Sequence, residues 1–313
     1  MLDMNLTSDN CGVIDDFQAF LEGRSIKLEQ DITPKDIRDY ILAKRKQNKD
    51  MKHIIDVIVE YFVAAKNDVL SHEAWLYRDA IGHIKKISQL TKDELGDSAW
   101  MQVFGGMEMP ETGWTLDEIA NFTRQMYEKM VNVASKEQIE GMIQKHAHGY
   151  KQTFDDTLNI ILETKGIDGM IEHMNESLRQ ELIKCRDKGV FCGGTMVDDS
   201  VIDYYEKHPS TTRIGNKIIF KQGPSLAQKF LHETDEKMRR YYACHCGVKK
   251  QSILQSEGSL SHSLCYCCLG HCIKVFEAAF GKKLNGKVVR TVMDEGCFEC
   301  VFELDIPSEW SNK

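Results

Sequence analysis

Between residues 11 and 188 the apolar positions of this chain recur at helical spacing. Ile37, Tyr40, Ile41 and Ala43 share a face behind Thr33-Pro34-Lys35-Asp36, which reads as an N-cap, a first-turn proline and an acidic residue three places in. Ile54, Ile55, Ile58, Val59, Phe62 and Val63 mark a second helix. Thr91-Lys92-Asp93-Glu94 has the capping-box pattern and predicts another helix start. Thr115 opens a further helix through Leu116, Ile119, Phe122, Met126 and Met130, and residues 136–148, 154–164 and 169–185 continue the pattern. The glycine-rich break Phe104-Gly105-Gly106, followed by Pro110 and Gly113, predicts a boundary between a helical N-terminal region, 1–113, and the remainder, 114–313.

The pattern changes near Gly189. Val190-Phe191-Cys192-Gly193-Gly194 predicts a turn, and residues 214–221 a short strand or hairpin arm. Residues 270–280 carry Ile273, Val275, Phe276 and Ala279 on one helical face and end at Gly281. Two strands, 288–292 and 300–304, then flank the turn Asp294-Glu295-Gly296. The expected fold class is α+β: a mainly helical N-terminal region, then a cysteine-rich α+β domain with a small antiparallel sheet.

Charge and composition exclude more than they identify. The chain has 313 residues, a net charge of −8 and no basic stripe with interleaved aromatics, so nucleic acid is not an expected partner. The densest basic run, Lys44-Arg45-Lys46 with Lys49 and Lys52, reads as a solvated helix face. Residues 1–10 lack the basic start and apolar core of a signal peptide. The apolar run 54–65 is interrupted by Asp56, Glu60 and Tyr61 and is too short to cross a bilayer. A cytoplasmic location and no membrane partner are therefore expected, and cysteines there stay reduced. Oligomeric state is not legible.

That expectation matters because eight of the eleven cysteines lie in the last seventy residues. They stand as Cys244-His245-Cys246, Cys265-Tyr266-Cys267-Cys268, Cys272, Cys297 and Cys300. Two Cys-x-x-Cys knuckles at zinc-ribbon spacing are absent. Instead Cys-x-Cys and Cys-x-Cys-Cys are separated by eighteen residues. Thiolates of Cys244, Cys246, Cys265 and Cys267 could complete a tetrahedral zinc site, with Cys268, His245, His262 and His271 as substitutes, or hold an iron–sulfur cluster. Cys297-Phe298-Glu299-Cys300 would join them if the last strand folds back beside Cys265. Two other readings stay open: a reactive or redox thiol without metal, and simple packing, since cysteine buries as a small hydrophobe. His146 and His148, two residues apart, do not share a helix face. Phosphate loop, dinucleotide fingerprint and His-Glu-x-x-His are all missing.

The tail from Gly281 to Phe302, with Arg290, Thr291, Gly296, Cys300 and Phe302 in register, resembles the closing motif of 4-vinyl-reductase-type small-molecule-binding domains. It is similar also to that of the L-2-amino-thiazoline-4-carboxylic acid hydrolase family. Tyr242-Ala243-Cys244-His245-Cys246 and Cys265-Tyr266-Cys267-Cys268-Leu269-Gly270-His271 fit cysteine-rich relatives of both. The resemblance covers about seventy residues. It implies a pocket for a small, largely apolar molecule, braced by zinc, with Cys265 and Cys300 as the ligands carried over. The other cysteines exceed that pattern.

The function expected from these observations is small-molecule binding, with a cysteine-ligated metal bracing the pocket. Cys244, Cys246, Cys265, Cys267 and Cys300 are its candidate ligands. The competing enzyme reading is a hydrolase that opens a ring or cleaves a C–N bond. In it Cys268 or Cys265 attacks, or a zinc-bound water does, and His245 or His271 moves protons. A thiol redox protein is the third reading.

Overall fold

The computed structural model describes residues 8–27, 31–47, 50–145 and 156–311. His146, His148 and Lys49 lie outside the described residues. Seven α-helices come first: α1 (Ser8–Glu22), α2 (Pro34–Arg45), α3 (Met51–Ala64), α4 (Asp68–Phe104), α5 (Leu116–Met130), α6 (Lys136–Gln144) and α7 (Thr157–Lys188). After α8 (Asp199–Lys207), a hairpin of β1 (Thr211–Ile214) and β2 (Lys217–Gln222) leads to α9 (Ala227–His232) and α10 (Glu236–Ala243). The chain closes with α11 (Tyr266–Phe280), β3 (Gly286–Arg290) and β4 (Cys300–Asp305). The fold is α+β, with one antiparallel sheet in the order β1-β2-β4-β3.

Local signals set most of these boundaries. Thr33 caps α2, and the Asp36 carboxylate accepts from the Thr33 backbone N–H at 2.9 Å. Thr115 and Glu118 form the same reciprocal box at α5. The expected helix start at Thr91 does not occur. Thr91 is buried inside α4 and its hydroxyl donates to the Ile87 carbonyl at 2.9 Å, because tertiary burial of the surrounding apolar face outweighs a four-residue capping pattern. The separate helices expected over 154–164 and 169–185 meet within α7, which leaves helical geometry between them at Gly166, where φ is 71°.

The basic run around α2 is solvated only in part: Lys46 and Lys52 are exposed, while Lys44 is buried and Arg45 half-buried. Lys44 is buried and reaches the Asp16 carboxylate at 2.7 Å. Arg45 makes paired bonds of 2.8 and 2.9 Å to Glu118, and Lys52 pairs with Asp56. The buried Lys44 stem covers apolar surface while its head finds a carboxylate.

One buried apolar cluster runs from Phe17 and Tyr40 through α3, α4 and α5 to Phe276, Phe302 and Ile306. It includes residues on both sides of the loop that follows α4. Polar contacts tie the two ends of the chain together: Arg124 donates to the Gly258 carbonyl at 2.8 Å, and Gln251 to Asp117 at 3.0 Å. A smaller cluster around Leu182, Cys185, Val201 and Ala227 packs α7, α8 and α9.

The sheet lays one face on α11. Register pairs Ile218 with Leu304, Phe220 with Phe302, and Gln222 with Cys300, so Cys300 shares the face of Phe302 and Leu304. Phe220 lies near-parallel to Phe302 at 6.4 Å and edge-on to Phe276 of α11 at 5.9 Å. α11 also crosses α6 so closely that a Cβ on Gly270 would stand 1.8 Å from the Gln144 carbonyl oxygen. The stretch His262–Phe280 has the length and apolar composition of a membrane span, and 61% of that window is buried inside the fold. Core packing accounts for its hydropathy.

Candidate functional site

α10 begins at Asp235, whose carboxylate accepts from the Met238 N–H at 2.8 Å, and ends as the backbone turns extended at Cys244. Cys244, Cys246, Val248, Lys249 and Lys250 are all buried in the turn that follows. A 3-10 turn, Lys250–Ile253, carries the chain away, and a second, His262–Cys265, delivers it to α11. Cys265 stands at the N-terminus of α11, with Cys267 and Cys268 in its first turn. The helix dipole there favours negative charge on sulfur. Cys300 opens β4. Arg240 fixes the segment before β4 with bonds of 2.8 Å to the carbonyls of Val292 and Met293.

These elements bring the cysteines around one side chain that the sequence reading overlooked. Lys249 is 2% exposed, donates to the Leu264 carbonyl at 2.8 Å and lies 3.5 Å from Cys265 Sγ. Burial pulls its pKa down. The sulfurs of Cys246, Cys265, Cys268 and Cys267 outweigh that and hold it well above the ordinary lysine value.

The thiols answer the opposite way. Burial, with Cys246, Cys265 and Cys267 beside it, lifts Cys268 well above an ordinary thiol although Lys249 pulls it down. Burial likewise lifts Cys300, with Cys265 and Cys244 adding to it, and Cys244 is pushed up to about 12. One buried ammonium cannot offset several thiolates in a low-dielectric interior.

All five expected ligand positions, Cys244, Cys246, Cys265, Cys267 and Cys300, are buried in this cluster, and Cys268 joins them. Among the described residues no three His, Cys, Asp or Glu side chains form a group that could hold one metal ion as they stand. Cys272, on the same helix, is raised to about 12 by burial alone, which marks it as packing. Cys297 sits partly exposed in the turn before β4.

The expected proton-transfer residues fall elsewhere. His245 points out of the cluster and donates from Nε2 to the Gly223 carbonyl at 2.6 Å. Burial depresses it to about 4. His271 is partly buried on α11 and is also lowered by burial. The leading electrostatic influences on Cys268 are Lys249 and cysteines.

Beside the thiols lies a second buried group joining the two halves of the chain. Glu73 of α4 accepts from Tyr241 at 3.1 Å and from Tyr77 at 3.4 Å. Lys250 Nζ lies 3.0 Å from His72 Nε2, 3.3 Å from Ser225 Oγ and 4.5 Å from the Tyr241 ring centre. Burial lowers Lys250 to about 8 and raises Glu73. Lys249-Lys250 carries no local signal of burial: a lysine pair ordinarily reads as surface.

Clefts lie apart from the cysteine core, one of them about 680 Å³ between α7 and α8. Another of about 1030 Å³ is lined by Arg45, Lys85, Trp114, Glu118 and Phe122 among others, and a smaller one of about 310 Å³ opens beside Cys297. No protein-family model matches this chain, and no curated protein or solved structure is detectably similar to it.

Proposed function

We propose that this chain is a small-molecule-binding protein whose C-terminal part is braced by a thiolate-bound metal, with zinc as the ion. The observation that carries the reading is the burial of Lys249 beside this group of cysteines, its Nζ 3.5 Å from Cys265 Sγ. Soft sulfur donors suit zinc, and four of them would bring two negative charges more than the ion neutralises. Lys249 supplies one compensating charge and the N-terminus of α11 a partial one. Without a cation the sulfurs remain thiols, so loading the ion releases protons and draws the sulfurs together. This set exchanges Cys244 for Cys268. Cys244 and Cys300 then flank the ion and pack the site against β4.

The hydrolase reading, with Cys268 as nucleophile, draws less support. A buried thiol lifted far above its ordinary pKa holds little thiolate at neutral pH. Neither His245 nor His271 is a leading influence on it.

The test is elemental analysis of the full chain purified without chelating tags, followed by thiol counting before and after chelator. About one zinc per chain, with cysteines unmasked by its removal, supports the proposal. Metal-free protein whose cysteines are unchanged by added zinc refutes it. Iron with visible absorption would replace zinc by a cluster.

A further inference from the structure

The 310 Å³ cleft lies on the face of the sheet opposite α11, where Lys221 of β2 pairs in register with Val301 of β4. Its walls are Tyr204 and His208 of α8, Phe230 of α9, Lys221, Arg290 and the Gly296–Glu299 turn. Its volume is at the small end of ligand cavities, roughly 300–1,000 Å³, which suits one ring with a short substituent.

Two features set the chemistry. The first is aromatic: Tyr204, Phe230 and Phe298 present ring surface, and Tyr204 stands edge-on to Phe230 at 5.9 Å. The second is charge. Lys221 has no ion-pair partner among the described residues, while Arg290 is paired with Glu299. Arg239 lies between the two phenylalanines, 5.0 Å from the Phe230 centre and 4.4 Å from that of Phe298. Its Nε is buried with no hydrogen-bond partner. Stacking satisfies the faces of a guanidinium, not its N–H groups. In a chain of net charge −8, two cations, Lys221 and Arg290, line this aromatic cleft against the single carboxylate of Glu299, a local reversal of sign.

The geometry points to this cleft as a binding site for a small aromatic carboxylate, its ring against Phe298 and Tyr204 and its carboxylate toward Lys221. The site deepens the small-molecule half of the reading above. It uses none of the proposed metal ligands. Cys297 lines it and is partly exposed, so occupancy shields that thiol.

The experiment uses benzoate as probe on the full chain, with benzyl alcohol, benzylamine and acetate as comparators. Binding is read by calorimetry, and alkylation of Cys297 by iodoacetamide is mapped by mass spectrometry, with exposed Cys11 as internal control. Benzoate should bind, slowing Cys297 alkylation about tenfold while Cys11 is unaffected, and the three comparators should bind at least about tenfold more weakly. Lys221→Gln, on a partly exposed strand position, should weaken benzoate by about tenfold. No binding at millimolar benzoate, binding that leaves Cys297 unprotected, or indifference to Lys221→Gln would each overturn the site. Zinc content of the same samples separates the two proposals. Zinc-replete protein that ignores benzoate loses this site alone, and zinc-free protein that binds it loses the metal centre alone.

Discussion

Lys249 reaches Cys265 Sγ at 3.5 Å while its ammonium is anchored on the Leu264 carbonyl at 2.8 Å. One lysine thus spans the turn after Cys246 and the entrance to α11. Lys249→Met removes the charge, leaves the Leu264 carbonyl unpaired and should cost roughly 1–3 kcal/mol of stability in urea titrations. Zinc affinity should fall about 10–100-fold, as for removal of an outer-sphere partner, in competition against a chromophoric chelator. Unchanged affinity would remove Lys249 from the metal centre.

Cys268 and Cys272 are one helical turn apart on α11 and both have thiols raised by burial, yet only Cys268 is coupled to Lys249 and the other sulfurs. Cys268→Ser should lose the bound metal, and Cys272→Ser should keep it at wild-type stoichiometry. Cys268→Ser should also lower stability by about 1–3 kcal/mol through the buried hydroxyl, and Cys272→Ser, at a half-buried position, by less. Equal metal content in both variants would return Cys268 to the packing class.

Glu73 is 4% exposed, and burial raises its pKa despite its bonds to Tyr241 and Tyr77. A carboxyl whose folded pKa lies above its unfolded value binds more protons in the folded state. It therefore contributes a loss of stability as pH rises through and above the ordinary glutamate value of about 4.3. Its neighbour His72 is lowered and works in the opposite sense, so the wild-type slope alone is not diagnostic. The comparison is with Glu73→Gln. That variant should gain stability relative to wild type as pH is raised from acid to neutral, in denaturation series at matched ionic strength. A difference independent of pH would mean that Glu73 titrates alike in both states.

Gly270 sits where α11 crosses the end of α6, and a Cβ there would lie 1.8 Å from the Gln144 carbonyl oxygen, which leaves no room for a methyl group. Gly270→Ala should destabilise by about 1–3 kcal/mol by forcing the helices apart, against the small helix-propensity gain alanine brings. Thermal denaturation checks the sign. A stabilised variant would mean that the crossing yields at little cost.

Much of the secondary structure was legible. The Thr33 and Thr115 caps, the strand-turn-strand close and the α11 stop at Gly281 all follow from local rules. Thr91 shows where local rules fail, since its capping pattern lay inside a buried helical face. The site was legible only as a concentration of thiols. Spacing placed Cys265 and Cys267 together and left Cys268 as either a substitute ligand or a nucleophile, and Lys249, Lys250, Glu73 and Tyr241 gave no signal at all.

The sequence by itself determined the helical first half, the antiparallel close and the cysteine-rich segment, because those depend on periodicity, caps and turn residues within a few positions of one another. Only the tertiary structure decided that Cys246, Cys265, Cys267 and Cys268 share one lysine, and that Glu73 meets Tyr241 across 168 residues of chain. Burial is a property of surfaces that meet. Whether a lysine ends in water or among sulfurs depends on what the rest of the fold lays over it.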